Sequence, residues 1–238
     1  MRLDRTLAER GLVRSRNQAA SLIAQGKVLV DGIPATKASQ QVFPTTGLEV
    51  LGQPPVSRAA HKLLGALDAS RTTVPARVMD AGASTGGFTS VCLERGATRV
   101  YAVDVGHDQL AEELRSDPRV VSHEGLNLRD LRLDHVESVP VDLVVADISF
   151  ISLTTVLEPM LRVLADDGKA LLLVKPQFEV GRERLGAGGV VRDPALHREA
   201  VARVADAAAR LGWGCDWQGQ SPLPGLGGNV EFFLRLNR

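Results

Sequence analysis

Two acids and a glycine-rich turn carry the first chemistry in this sequence. Residues 78–89 read Val-Met-Asp-Ala-Gly-Ala-Ser-Thr-Gly-Gly-Phe-Thr. Val78-Met79 opens a short apolar run of the kind buried parallel strands show. Phe88 to Leu93 follows a helical pattern that ends at Gly96. Strand, glycine turn, helix is the expected order. Glycines permit the sharp turn and the close approach of a ligand. The helix start offers unpaired N–H groups and the positive end of its dipole. Asp80 falls where the strand stops, at the edge where open α/β sheets take ligands. Asp104 ends the next apolar run, 24 residues later, near the roughly 20-residue offset at which an acid meets a ribose. The spacing is G-x-x-x-G-G, not G-x-G-x-x-G, so no pyrophosphate grip is implied. No phosphate-cradling P-loop occurs either. A nucleoside ligand without phosphates suits this pattern, S-adenosyl-L-methionine foremost. The candidate contacts are Asp80, Gly82, Ser84, Thr85, Gly86, Gly87 and Phe88 in the turn, with Asp104, Asn127 and Asp147 from later strand ends. A turn that only joins strand to helix is the alternative.

Three ionisable groups are expected at the same edge: Asp147 and Lys175 at strand ends and Glu231 in the last strand. Lys62 lies beside the stripe Leu63, Leu64, Leu67 of a helix expected from Arg58 to about Ala69. It could point into a cleft, although periodicity alone makes it a surface lysine. These residues are far apart in sequence, but an open α/β sheet gathers strand ends into one crevice.

The elements that must position them follow from the same pattern. A third strand is expected at Val120–His123 and a fourth from Val141 to Asp147. An amphipathic helix spans Leu153–Leu164 and closes near Gly168. The fifth strand, Lys169–Lys175, meets Pro176, which bars further helix or ladder bonding. A Gly- and Arg-rich loop runs from Phe178 to Asp193, and Pro194 opens a helix to Leu211. Cys215-Asp216-Trp217 and 229–236 are the last two strands. A loop rather than a helix joins them, so that pair is antiparallel. The fold class is α/β: a Rossmann-like sheet of seven strands with a small amino-terminal α+β domain.

In that small domain Leu3–Arg10 is a helix stopped by Gly11. Ser15 caps a second, Arg16–Gln25, with Ala19, Ala20, Leu22 and Ile23 inside. Lys27–Val30 is a strand, Asp31-Gly32 a tight turn, and Leu48–Val50 another strand. Residues 1–51 form this domain, Gly52-Gln53-Pro54-Pro55 begins a stiff linker over 52–57, and 58–238 form the larger domain. The net charge is zero, but residues 1–62 hold nine lysines and arginines against four acids. A basic module joined to an acidic one suggests that the small module meets a polyanion. Cys92 and Cys215 belong to no ligand cluster, so no zinc or other metal site is expected. Met1-Arg2-Leu3-Asp4-Arg5 opens no signal peptide, and no apolar run is long enough to span a membrane. A soluble, cytoplasmic protein is expected.

Two stretches, Arg5–Arg16 and Gly26-Lys27-Val28-Leu29-Val30-Asp31-Gly32, together resemble the S-four-type RNA-binding domain. The resemblance implies that Arg5, Arg14, Arg16 and Lys27 contact RNA phosphates; a solvated helix face is the alternative. Lys62, Asp147, Lys175 and Glu231, in that order, resemble the tetrad of FtsJ-type ribose 2′-O-methyltransferases. With the front end, the chain is similar to the TlyA family of rRNA methyltransferases, also called haemolysin A. Its signatures here are Ser57-Arg58 with His61-Lys62-Leu63, Asp80 to Thr89, Asp147-Ile-Ser-Phe150, Val174-Lys-Pro-Gln-Phe-Glu179 and Asn229-Val-Glu-Phe-Phe233.

The resemblance implies methyl transfer from S-adenosyl-L-methionine to the ribose 2′-hydroxyl of a cytidine in ribosomal RNA: 23S, with 16S as well in some members. The resemblance associates short members of the family with the large-subunit target alone, which is the expectation for this chain. A free lysine, with a pKa of about 10.4, is a poor base, and burial beside another ammonium brings such a group toward about 7–8. Lys175 is therefore expected to take the hydroxyl proton and Lys62 to steady the alkoxide, with Asp147 and Glu231 orienting the lysines. Asp147-Ile-Ser-Phe150 lacks the two prolines of the turn that amino-methyltransferases show there, which disfavours base N-methylation. Phe150 is expected to pack against the sheet, with stacking on a base as the alternative. Arg182 and Arg184 are candidates for a clamp on the RNA backbone, against an ordinary solvated loop. Two other functions compete: an RNA-binding factor without catalysis, and a membrane-lytic protein, for which the sequence offers no basic amphipathic helix.

Overall fold

The computed structural model describes residues 1–238 apart from Gly11, Arg14, Ser15, Pro44, Thr45, residues 52–57 and Leu226. The helix stop at Gly11, the caps at Ser15 and Ser57, the linker 52–57 and the candidate RNA contact Arg14 lie outside the described residues. The chain divides into two compact units, Met1–Pro54 and Pro55–Arg238.

In the first unit, helices α1 (Leu3–Glu9) and α2 (Arg16–Ala24) precede strands β1 (Val28–Val30), β2 (Ile33–Pro34) and β3 (Leu48–Val50). The strands form an antiparallel sheet in the order β2-β1-β3. Leu3, Leu7, Ala19, Leu22, Ile23 and Val28 fill its core. Ala20 is exposed rather than inside. The buried residues of α2 are spaced i, i+3, i+4, and position 20 falls off that stripe. Asp31 and Gly32 both have positive φ, 49° and 82°, the backbone a two-residue hairpin turn requires. Asp4, 4% exposed, accepts hydrogen bonds from Arg2 and Arg16 and so ties α1 to α2. The Arg2 guanidinium, helped by Arg16, holds its carboxyl at about 2, against the opposing effect of burial.

The second unit contains α3 (Arg58–Ser70), β4 (Arg77–Ala81), α4 (Gly87–Glu94), β5 (Arg99–Val103), α5 (Glu112–Arg115), β6 (Val120–His123) and β7 (Val141–Ala146). There follow α6 (Leu157–Arg162), β8 (Leu164–Val174), α7 (Pro176–Glu179), α8 (Pro194–Arg210), β9 (Gly214–Gln220) and β10 (Phe232–Asn237). The seven strands pair in the order β6-β5-β4-β7-β8-β10-β9. Strands β4 to β8 run parallel, and β10 lies antiparallel between β8 and β9. Side chains alternate across the sheet. Val78, Val100, Val145, Leu173 and Phe233 pack on the side of α3 and α4. Met79, Tyr101, Val144, Leu172 and Leu234 pack on the side of α6 and α8. Both faces are buried, which is why these strands read as continuous apolar runs. No described helix is long and apolar enough to cross a membrane.

Three expectations need correction. The helix over Leu153–Leu164 is shorter, because β8 begins at Leu164, which pairs with Val141. The register then slips, so that Leu143 meets Lys169. Asp166 and Asp167 fall in this irregular stretch and are exposed. Pro176 does not end regular structure but opens α7 at its first turn, where a missing N–H costs nothing. Glu231 lies just ahead of β10 rather than within it.

Away from the strand ends, Tyr101 staples the segment 133–139 to the sheet. Its hydroxyl accepts from Arg77 Nη2 at 2.6 Å and donates to Glu137 Oε2 at 2.5 Å. Arg77 also reaches the carbonyls of Val136 and Val139. Tyr101→Phe removes the shared hydroxyl and leaves Arg77 a partner short. It should lower the unfolding free energy in urea by about 1–3 kcal/mol and leave nucleoside affinity unchanged.

Candidate active site

The site is assembled by the parity of the strands. Val145, Leu173 and Phe233 face α3 and α4. Asp147 and Lys175 lie two residues beyond the first two, and Glu231 two residues before the third. Because β10 is antiparallel, its start lies at the edge where β7 and β8 finish. The β8–β10 register pairs Phe232 with Val174, and one further step sets Glu231 opposite Lys175. Lys62 comes from α3, which covers this face. It is not the surface lysine that periodicity suggested: it is 8% exposed and donates to Glu231 Oε2 at 2.6 Å, and Glu231 is 1% exposed. Lys175, also 8% exposed, stands 2.6 Å from Asp147 Oδ1. All four tetrad residues are therefore in two tight pairs. The pairs differ in kind. Lys62–Glu231 is an aligned hydrogen bond, whereas Asp147 Oδ1 lies off the line that a hydrogen bond needs. The aligned partner of Lys175 is the Ser149 hydroxyl at 2.7 Å.

Beside the tetrad lies a cleft of about 470 Å³. Gly82, Ser84, Asp104, Asn127 and Asp147 line it, five of the ten residues expected at a cofactor. Gly82 has φ 83°, and a Cβ there would sit 2.8 Å from the Asp147 carbonyl oxygen. The Asp-x-Gly turn thus passes directly over the end of β7, and only glycine fits. Gly86, φ 92°, caps α4. The Asp104 carboxylate is aimed by the amides of Ser84 and Gly106, at 2.8 and 2.7 Å. A carboxylate has about four acceptor sites, so capacity remains for a ribose diol. Asn127 spends its side-chain oxygen on capping, accepting from the Arg129 amide. Thr85 is exposed, whereas Gly87 is buried. Phe88 is 2% exposed and stacks on Phe233, so its ring belongs to the core rather than to the cleft. The cleft suits a nucleoside in size, with a few polar groups set in a mostly apolar lining.

Val105 and Gln109 line the cleft without a sequence signal that singled them out, and Ser149 lies within the Asp147-Ile-Ser-Phe150 signature with no role assigned to it there. Phe150 reverses an expectation. It does not pack on the sheet but is 91% exposed at the cleft, 5.5 Å from Phe178. Its φ of 68° breaks the alternation that would have laid the ring on the sheet, and a bulky residue holds such a backbone only where its surroundings impose it. Glu179 provides part of that restraint. It is 3% exposed and accepts from Ser152 Oγ at 2.5 Å and from the Leu153 amide at 2.8 Å. Burial raises its carboxyl, against those hydrogen bonds.

The charged candidates elsewhere are mostly paired. Arg5 bonds Glu9, Arg16 bonds Asp4, and Arg184 grips Glu199. Lys27 and Arg182 have no ion-pair partner among the described residues.

Asp80 lies beneath the turn, fully buried, on the α4 side of the sheet. Oδ2 accepts from Thr89 Oγ1 at 2.7 Å, and Oδ1 has no hydrogen-bond partner among the described residues. Burial lifts this carboxyl to about 7; the charges of Asp147 and Asp104 add to the rise and the Thr89 hydroxyl opposes it. An unfolded aspartate titrates near about 3.9, so between about pH 4 and 7 the native state binds the extra proton and stability falls as pH rises. Asp80→Asn should flatten the fall in melting temperature across that window and leave the acid-side loss below about pH 4 in place. A slope equal to that of the parent protein would show that Asp80 does not titrate there.

Comparison with known proteins agrees with this geometry. Residues 55–238 match the FtsJ-like methyltransferase family and residues 1–44 the S4 domain. The chain is 53% identical over 239 residues to the 16S/23S rRNA (cytidine-2′-O)-methyltransferase TlyA of Mycobacterium tuberculosis, covering 99% of this chain and 89% of that one. It is 33% identical to the 23S rRNA (cytidine-2′-O)-methyltransferase TlyA of Campylobacter jejuni, covering 98% of each. A solved structure titled a putative hemolysin from Streptococcus thermophilus superposes with a TM-score of 0.75 at 37% identity, covering 100% of this chain and 88% of that one. The chain therefore belongs to the FtsJ-like methyltransferases, in the TlyA group that begins with an S4 domain.

Proposed function

We propose that this protein transfers a methyl group from S-adenosyl-L-methionine to the ribose 2′-hydroxyl of a cytidine in ribosomal RNA. The observation that carries the proposal is the two buried lysine–carboxylate pairs at one sheet edge, beside a nucleoside-sized cleft. S-adenosyl-L-methionine, when bound, supplies a methyl group on positively charged sulfur, open to in-line attack by oxygen. Asp104 would hold its ribose, with Gly82 and Ser84 against it. Asp80 below the turn would find in its ammonium the counter-charge that the unpartnered oxygen lacks. The work left to the protein is to position a hydroxyl and remove its proton.

Lys175 Nζ takes that proton, and its place beside the cleft is where a 2′-hydroxyl must come. The Lys62 ammonium, held by Glu231, steadies the negative charge that gathers on the oxygen. Asp147 and Glu231 keep the lysines where they can act. Phe150, exposed at the mouth, offers a ring on which the target base stacks. The amino-terminal unit, with Arg5, Arg14, Arg16 and Lys27, holds the RNA by its phosphates; Arg182 and Arg184 add to this from the catalytic unit. The names of both relatives include 23S rRNA, which makes the large-subunit RNA the first expected substrate and the cytoplasm the place of reaction.

Lys175→Ala should lower methyl transfer about 100- to 10,000-fold while cofactor affinity, read by calorimetry, stays near that of the parent protein. Activity close to normal would remove Lys175 as the base. Lys27→Glu should weaken RNA binding across sequences and reduce the slope of log affinity against log salt by about 1. An unchanged slope would remove Lys27 from the interface. Mapping 2′-O-methyl marks on both ribosomal RNAs, with and without the gene, identifies the nucleotide and tests the small subunit as a second target.

A further inference from the structure

We infer that Ser149 is a positioning residue for methyl transfer, one that aims the nitrogen of Lys175 at the substrate hydroxyl. This rests on the reading of Lys175 as the base, and it starts from the inequality of its two contacts. The Asp147 carboxylate is 2.6 Å from Nζ but off the hydrogen-bond line, so it supplies charge without direction. The Ser149 hydroxyl accepts an aligned hydrogen bond at 2.7 Å. Among the described residues it is the group that sets how the amine is turned.

Direction matters because the nitrogen is tetrahedral. Carbon occupies one position, and after a proton is lost the lone pair occupies another. The lone pair accepts a hydroxyl proton only if it faces the substrate. Of the three positions besides carbon, a hydrogen bond to Ser149 fixes one, the carboxylate attracts a second, and the third is left for the lone pair. Ser149 itself lines that cleft. Its chemistry suits the task better than a second carboxylate would. A carboxylate favours the ammonium form, whereas a hydroxyl accepts from ammonium and amine alike and adds no charge. Ser149 therefore orients the amine without adding a charge beside it.

The loop that carries Ser149 is built to hold still. Glu179 closes α7, the short helix that Lys175 caps. Its carboxylate grips the Ser152 hydroxyl and the Leu153 amide on the same loop as Ser149. Lysine and loop are thus tied together twice, once through the reacting amine and once a helical turn away.

The test uses the full chain and large ribosomal subunits purified from cells that lack the gene, with labelled S-adenosyl-L-methionine. Ser149→Ala should lower kcat about 10- to 100-fold, the loss of one hydrogen bond to a charged group. KM for the cofactor and for the subunit should stay within about 3-fold of the parent values. Ser149→Thr, which keeps the hydroxyl, should recover most of kcat. A kcat for Ser149→Ala within about 2-fold of the parent, or a loss confined to KM, overturns the inference. Lys175→Ala, measured in parallel, separates the two readings. If it is inactive while Ser149→Ala is fully active, only the role of Ser149 falls. If it is active, the base assignment falls and this inference with it.

Discussion

Lys62 and Glu231 meet at 2.6 Å with almost no access to water, 169 residues apart in the chain. Burying two charges costs several kcal/mol each, and the attraction between them only partly offsets it. Such a pair survives where the fold leaves neither partner another choice. Here α3 delivers the lysine to one face of the sheet, and the antiparallel entry of β10 delivers the glutamate to the same edge. The Lys175–Asp147 pair obeys the same constraint one strand over. Removing one partner leaves the other charge without its counter-charge in a dry place.

Much of this was legible in the sequence. The Asp80–Thr89 turn, the acids at the ends of β5 and β7 and the lysine after β8 each follow a short apolar run, and a buried parallel strand leaves that signature clearly. The antiparallel last pair followed from the lack of a helix between 214–220 and 232–237. The length of the helix before β8 did not follow, because nothing local distinguishes a helix end from a strand that starts with a register slip. Pro176 reads as a stop but is also a helix opener. Local sequence cannot choose between the two, since a missing N–H suits both.

The missed residues share a cause. Ser149 is a single polar residue in an irregular stretch and Glu179 one at the end of a single helical turn, each bonded to a partner 26 residues away. Periodicity has no hold on such positions. Phe150 was misread for the converse reason: its type predicts burial, but its backbone conformation overrides its type. In the first unit the arginines were recognised by charge, yet Arg16 is also part of the bridge to Asp4 that joins two helices. A basic residue there serves the fold and is still exposed enough to meet a polyanion.

Strand β10 has one more consequence. It is the last strand in chain order, yet it lies inside the sheet, and β9, made earlier, can join only through it. Long-range pairings of this sort form late, because a large loop must close before any contact rewards it. A growing chain can therefore complete the glycine turn and the cleft well before Glu231 arrives to neutralise Lys62. Until that final docking, Lys62 lacks the carboxylate that the completed sheet brings to it.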